Sequence, residues 1–118
     1  MRDHTKLKVF ALADRLVLEI YRASTNLPAG EQYGLQSQIR RAAVSVAANI
    51  VEGSARSTQT EYARFIEIAY ASARELEYQI SLCERLGFLS NSIALELQRN
   101  CTSTAKALNG LLRVLRKD

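Results

Sequence analysis

A chain of 118 residues with a formal net charge of +4 and 47% hydrophobic residues has the size of one domain, expected to span residues 1–118. One Pro, five Gly and no Trp, among abundant Ala, Leu, Glu, Arg and Gln, argue against sheet and disorder and for helix. No apolar run approaches the ~20 residues that cross a bilayer, and Met1 to Lys6 lack the apolar core of a signal peptide, so a soluble cytoplasmic protein with no membrane partner is expected.

Four segments carry helical periodicity. In the first, Phe10, Ala13, Val17, Ile20, Ser24 and Leu27 follow the 3-4 spacing of one buried face. Leu27-Pro28-Ala29-Gly30 breaks it, because Pro cannot continue a helix and Gly accepts a left-handed turn. The second carries Leu35, Ile39, Ala42, Val46 and Ile50 and is predicted to end at Gly53. Thr58 followed by Glu61 makes a capping box for the third, whose stripe is Tyr62, Phe65, Ile66, Ala69, Ala73, Leu76, Ile80 and Cys83. A short connection from Gly87 to Ser90 leads to the fourth, with Ile93, Leu97, Cys101, Thr104, Leu108, Leu111 and Leu115.

Long helices joined by short loops pack as antiparallel neighbours, so the predicted fold is all-α, an up-down-up-down four-helix bundle in a single domain. If residues 57–87 and 91–116 form a hairpin, Cys83 and Cys101 are offset by roughly 9 Å along the axis, too far for an unstrained bridge, and read as reduced core thiols. Apolar residues also stand off the main stripes: Val9, Leu12 and Leu16, then Val44, Val51, Ile68, Leu82, Leu95 and Val114. Spread over all four helices, they suggest either a second buried face, hence self-association, or a broad core stripe.

Catalysis finds little support. The only imidazole is His4, so no Ser-His-Asp or Cys-His arrangement can be assembled inside a bundle. Glu-x-x-His pairs, a Cys-x-x-Cys pair and glycine-rich phosphate loops are all missing from the sequence, and no metal or cofactor is expected. Asn49 shares the side of Ala42 and Val46, and a buried amide needs partners; Ser72 and Glu75 on the third helix are candidates. Such a group is either a register-fixing network or a polar pocket. Arg41 faces Ser45 and Glu52, which allows an ion pair or a phosphate contact; Arg40 beside it shares the second option.

Charge is unevenly placed. Residues 1–27 hold five Lys/Arg against three acids and residues 90–118 five against two, whereas residues 57–89 hold three against five. Neighbouring antiparallel first and fourth helices bring Arg2, Lys6 and Lys8 close to Arg113, Arg116 and Lys117, a cluster that attracts a polyanion or simply solvates one end. No aromatic residue interleaves these cations, which favours backbone or shape recognition of folded RNA over base stacking.

Gln38-Ile39-Arg40-Arg41-Ala42-Ala43, Ser45, Asn49-Ile50, Glu52-Gly53 and Ser72 through Leu76 resemble the four-helix-bundle proteins encoded within intervening sequences of bacterial 23S ribosomal RNA genes. The likeness runs through almost the whole chain and is carried by Asn-Ile-x-Glu-Gly with a downstream Ser-x-x-Glu-Leu. This chain has Ala47 where the family often has Pro, so a straighter second helix is expected, and Ala71 where it often has Gly. The resemblance implies a ring-like homopentamer with a basic surface and no enzymatic activity, with Asn49, Glu52, Ser72 and Glu75 as shared polar positions. A related branch, the accessory protein of diversity-generating retroelements, implies a reverse transcriptase and its RNA as partners.

The expectation is therefore a non-enzymatic homo-oligomer that binds RNA or a ribonucleoprotein through Arg2, Lys6, Lys8, Arg40, Arg41, Arg113, Arg116 and Lys117. The alternative is a protein-interaction adaptor whose basic ends only keep it soluble. An enzyme built on Asn49, Glu52 and Glu75 is a third reading.

Overall fold

A computed structural model describes residues 2–117, with the side chain of Lys6 outside the description. A short 3-10 turn at His4–Lys6 leads into α1 (Lys8–Ser24). A second 3-10 turn at Ala29–Glu31 precedes α2 (Leu35–Ser54), and α3 (Gln59–Arg85) and α4 (Asn91–Leu115) complete the chain. No strand occurs among the described residues.

The ends of the helices follow local chemistry. Thr58 Oγ1 accepts from the Glu61 N–H at 3.2 Å and starts α3 as the capping pattern predicts. Gly87, at φ 79°, stops it: the Phe88 N–H donates back to the Cys83 carbonyl at 2.8 Å, closing the last turn. Ser90 then caps α4 by accepting from the Ile93 N–H. Five residues, 86–90, are enough to reverse direction, so α4 returns antiparallel along α3.

Each helix packs on its sequence neighbours, and α1 closes on α4. The result is an up-down-up-down four-helix bundle measuring 46 × 22 × 20 Å. Its centre is Leu16, Ile20, Ile39, Val46, Ile50, Ile66, Leu76, Ile80 and Leu108, all fully buried. Ala13, Ile20, Ser24 and Leu27 of the expected α1 stripe are buried, but the stripe is shifted at two turns, where Val9 and Leu16 are buried and Phe10 and Val17 only half-buried. In α4, Leu112 is buried and Ile93 exposed. Of the off-stripe residues, Val44, Ile68, Leu95 and Val114 reach solvent, and Leu12, Val51 and Leu82 are half-buried.

Gly53 lies inside the last turn of α2 rather than beyond it. A Cβ there would fall 2.9 Å from Phe65 Cβ and 3.1 Å from Tyr62 Cδ1, so glycine is required by the close approach of α3. Both cysteines are buried and free. The Cys101 thiol donates to the Ala73 carbonyl at 3.3 Å, and burial pushes it up to about 12. Such a thiol stays protonated and unreactive at neutral pH.

Candidate nucleic-acid interface

The start of α1, the end of α2, the start of α3 and the end of α4 share one end of the bundle. Two contacts fix this. The Arg2 N–H donates to the Ser54 carbonyl at 3.0 Å, and Gln59 Nε2 donates to the Leu115 carbonyl at 2.7 Å.

The terminal cations meet there, but they do different work. Arg2 is half-buried: Nη1 donates to the Arg56 carbonyl at 3.2 Å, and its guanidinium lies 4.3 Å from the centre of the Tyr62 ring. It pins the leading segment across the α2–α3 connection. Burial raises the Tyr62 hydroxyl above the usual tyrosine range, with the Arg2 charge opposing. Lys8 opens α1, which has no acid in its first turn, so its charge adds to the positive end of the helix dipole. Lys8, Arg113 and Lys117 are exposed and free of ion pairs among the described residues. Arg116 pairs with Glu67 at 3.2 Å, both about half exposed. Lys6 belongs to the 3-10 turn, and its side chain lies outside the described residues.

Arg40 and Arg41 separate. Arg40 is turned inward onto the end of α1: Nε donates to Ser24 Oγ at 2.8 Å, Nη2 to the Tyr21 carbonyl at 3.3 Å, and the guanidinium stacks on the Tyr21 ring at 4.6 Å. It satisfies carbonyls that the helix end leaves open. Arg41 is exposed with no ion pair among the described residues. It lines a groove of about 300 Å³ between α2 and α3, together with Gln38, Ser45, Ser72 and Glu75.

The shared polar residues do not form the single group that their spacing suggests. Asn49 is half-buried, and its Nδ2 donates to the Ser45 carbonyl at 2.8 Å and to Ser45 Oγ at 3.1 Å. Ser45 Oγ in turn bonds Ser72 Oγ at 2.8 Å across the α2–α3 seam. Ser45, which helical spacing alone does not single out, is thus the bridge. Glu75 stands apart, accepting from Gln79 Nε2 at 3.1 Å. Gln79 is 7% exposed and its Oε1 has no partner. Glu52 pairs with Arg56 at 3.1 Å, one turn on in its own chain segment, rather than with Arg41. Among the described residues no group of three His, Cys, Asp or Glu is placed to hold a metal ion.

With α-helices alone, closed into a four-helix bundle around this seam, the class of molecule is defined. The fold matches the crystal structure of a protein of unknown function from the S23 ribosomal protein family of Bacteroides thetaiotaomicron, with a TM-score of 0.83 and 21% identity over 89% of this chain and 95% of that one. The chain belongs to the 23S rRNA-intervening sequence protein family, whose family model matches residues 5–110. No curated protein matches it. No helix among the described residues is long and apolar enough to cross a membrane.

Proposed function

We propose that this protein is a non-enzymatic, cytoplasmic homo-oligomer that binds RNA or a ribonucleoprotein through its basic surface. Five copies is the number that the family resemblance implies, and a reverse transcriptase is the protein partner it implies. The observation that carries the reading is the bundle end shared by the start of α1 and the end of α4, where Lys8, Arg113 and Lys117 stand exposed with no ion pair among the described residues. Cations held on rigid helix ends attract a polyanion with a strong salt dependence. Val44 and Ile68, 41% and 42% exposed on neighbouring helices, support self-association.

Native mass spectrometry of untagged protein at low salt tests both parts. Multiples of 13.2 kDa carrying mass that ribonuclease removes are expected. Replacing Arg113, Arg116 and Lys117 by Glu should abolish that extra mass while leaving the assembly intact. Retention of RNA by the triple variant would sink the assignment of this end. A clean oligomer without nucleic acid would favour the protein adaptor, and a clean monomer would remove the assembly altogether.

A further inference from the structure

We infer that the outer groove between α3 and α4 is a track for the phosphate backbone of RNA. This rests on the function proposed above and names the surface that performs it. Arg99, Lys106 and Arg113 recur every seven residues on α4, so they form one stripe with charges spaced about 10 Å apart. The register of the two helices sets this stripe opposite cations of α3. Arg74 and Lys106 flank one hollow of about 190 Å³, and Arg64 and Arg116 flank a second of about 540 Å³ in the same groove.

The charge balance of the groove differs from that of the rest of the molecule. The two hollows hold four cations, Arg64, Arg74, Lys106 and Arg116, against three carboxylates, Glu61, Glu67 and Glu77, and the seven-residue repeat sets Arg99 and Arg113 on the same flank of α4, a local surplus of three positive charges. Two of those acids are already engaged, Glu67 by Arg116 at 3.2 Å and Glu77 by Arg74 at 2.8 Å. Arg64, Arg99, Lys106 and Arg113 are exposed and have no hydrogen-bond or ion-pair partner among the described residues.

On the outer face of α4 the residues between the cations are short, whereas Tyr70 lies between Arg64 and Arg74 on α3. Ser103 and Gly110 fill the intervening positions of α4, and a Cβ at Gly110 would meet nothing within 4 Å. A strand can therefore lie against the helix with guanidinium and ammonium groups on both flanks and Thr102 and Asn109 as neutral donors. A net positive rim whose hollows hold only the half-buried Tyr70 and Leu115 as large apolar side chains suits a phosphate backbone better than a protein surface, which is held by fully buried aromatic and apolar anchors.

The test compares two double variants with equal loss of charge. Arg99→Gln/Lys106→Gln removes two cations from the groove, and Arg15→Gln/Arg22→Gln removes two exposed cations from α1. The probe is an RNA duplex of about 16 base pairs, titrated by fluorescence anisotropy over a salt series. The groove variant should bind more weakly and flatten the slope of log K against log salt by about 2, one for each lost phosphate contact. The α1 variant should keep the wild-type slope. Equal losses in both variants would show that only overall charge matters, and no loss in the groove variant would show that the track lies elsewhere. Either result overturns this inference while the RNA-binding reading stands, whereas a wild-type protein that ignores the duplex overturns both.

Discussion

The two flanks of α3 contrast. Toward the end of α2 the helices are knit close: Gly53 admits Phe65 at close range, and Asn49, Ser45 and Ser72 form a chain of hydrogen bonds across the seam, while nearer the start of α2 Arg41 and Glu75 line an open groove of about 300 Å³. Along α4 the interior is equally dry, with Cys101 bonded to Ala73, but the rim stays open and carries the cations. One helix thus separates two tasks by its two sides. The α2 side fixes register through Gly53 and the Asn49–Ser45–Ser72 chain, and the α4 side keeps most of its charge in water, where ion pairs contribute little to stability and remain available to a ligand.

The contrast fails if the α3–α4 seam is wet beneath its charged rim. Burial holds the Cys101 proton to about 12, whereas an unfolded thiol titrates near 8.5. Above pH ~8.5 the unfolded chain loses a proton that the folded chain keeps, so stability falls as pH rises, by about 1.4 kcal/mol per unit, until the folded thiol itself titrates. Between pH 8.5 and 10.5 the loss from this group is roughly 2 kcal/mol. Urea melts across that range should show it, and Cys101→Ala should remove that component of the slope. A wild-type curve no steeper than the variant's would mean that solvent reaches the seam.

The α2 side is sharpened by adding one carbon. Gly53→Ala places a Cβ 2.9 Å from Phe65 Cβ, and neither backbone can yield without moving a helix. A destabilisation of about 1–3 kcal/mol is expected in urea denaturation, with affinity for RNA unchanged at temperatures where the variant is folded. A neutral substitution would show that α2 and α3 leave room for a methyl group and that glycine is not required there.

The hydroxyl bridge is weaker and is measured by a cycle. Ser45→Ala and Ser72→Ala should each cost about 1 kcal/mol, and the double variant should cost less than the sum because both remove the same bond. Strict additivity would show that the two hydroxyls act independently.

How much of this was legible in the sequence differs between fold and site. Thr58 with Glu61, Gly87 and Ser90 announce their turns locally, so the third and fourth helices stand within two residues of the expected 57–87 and 91–116. The shift within the α1 stripe was not legible, since Val9 and Leu16 follow helical spacing as well as Phe10 and Val17 do. Packing against both α2 and α4 decides between those rows, and periodicity cannot. Arg40 illustrates the same gap: nothing local distinguishes it from Arg41, yet Ser24, sixteen positions earlier, claims its guanidinium. The seven-residue repeat of Arg99, Lys106 and Arg113 is visible in the chain. Its placement across from Arg64 and Arg74 depends on interhelical register.

The smallest expected change in stability gives the sharpest separation of the two flanks. Glu67 bonds Arg116 on the open rim, and both side chains are more than half in contact with water or at its edge, at 56% and 50% exposure. Glu67→Gln should therefore alter folding by only about 0–1 kcal/mol. Its effect on RNA should run the other way from that of the cation variants. Removing a carboxylate frees Arg116 and makes the groove more positive, so binding should tighten and the salt slope should steepen. An acid whose loss helps a function while barely touching the fold belongs to a ligand surface, because a structural ion pair would show the opposite pattern. Weaker binding by the Gln variant, with stability unchanged, would mean that Glu67 positions Arg116 for the ligand rather than competing with it.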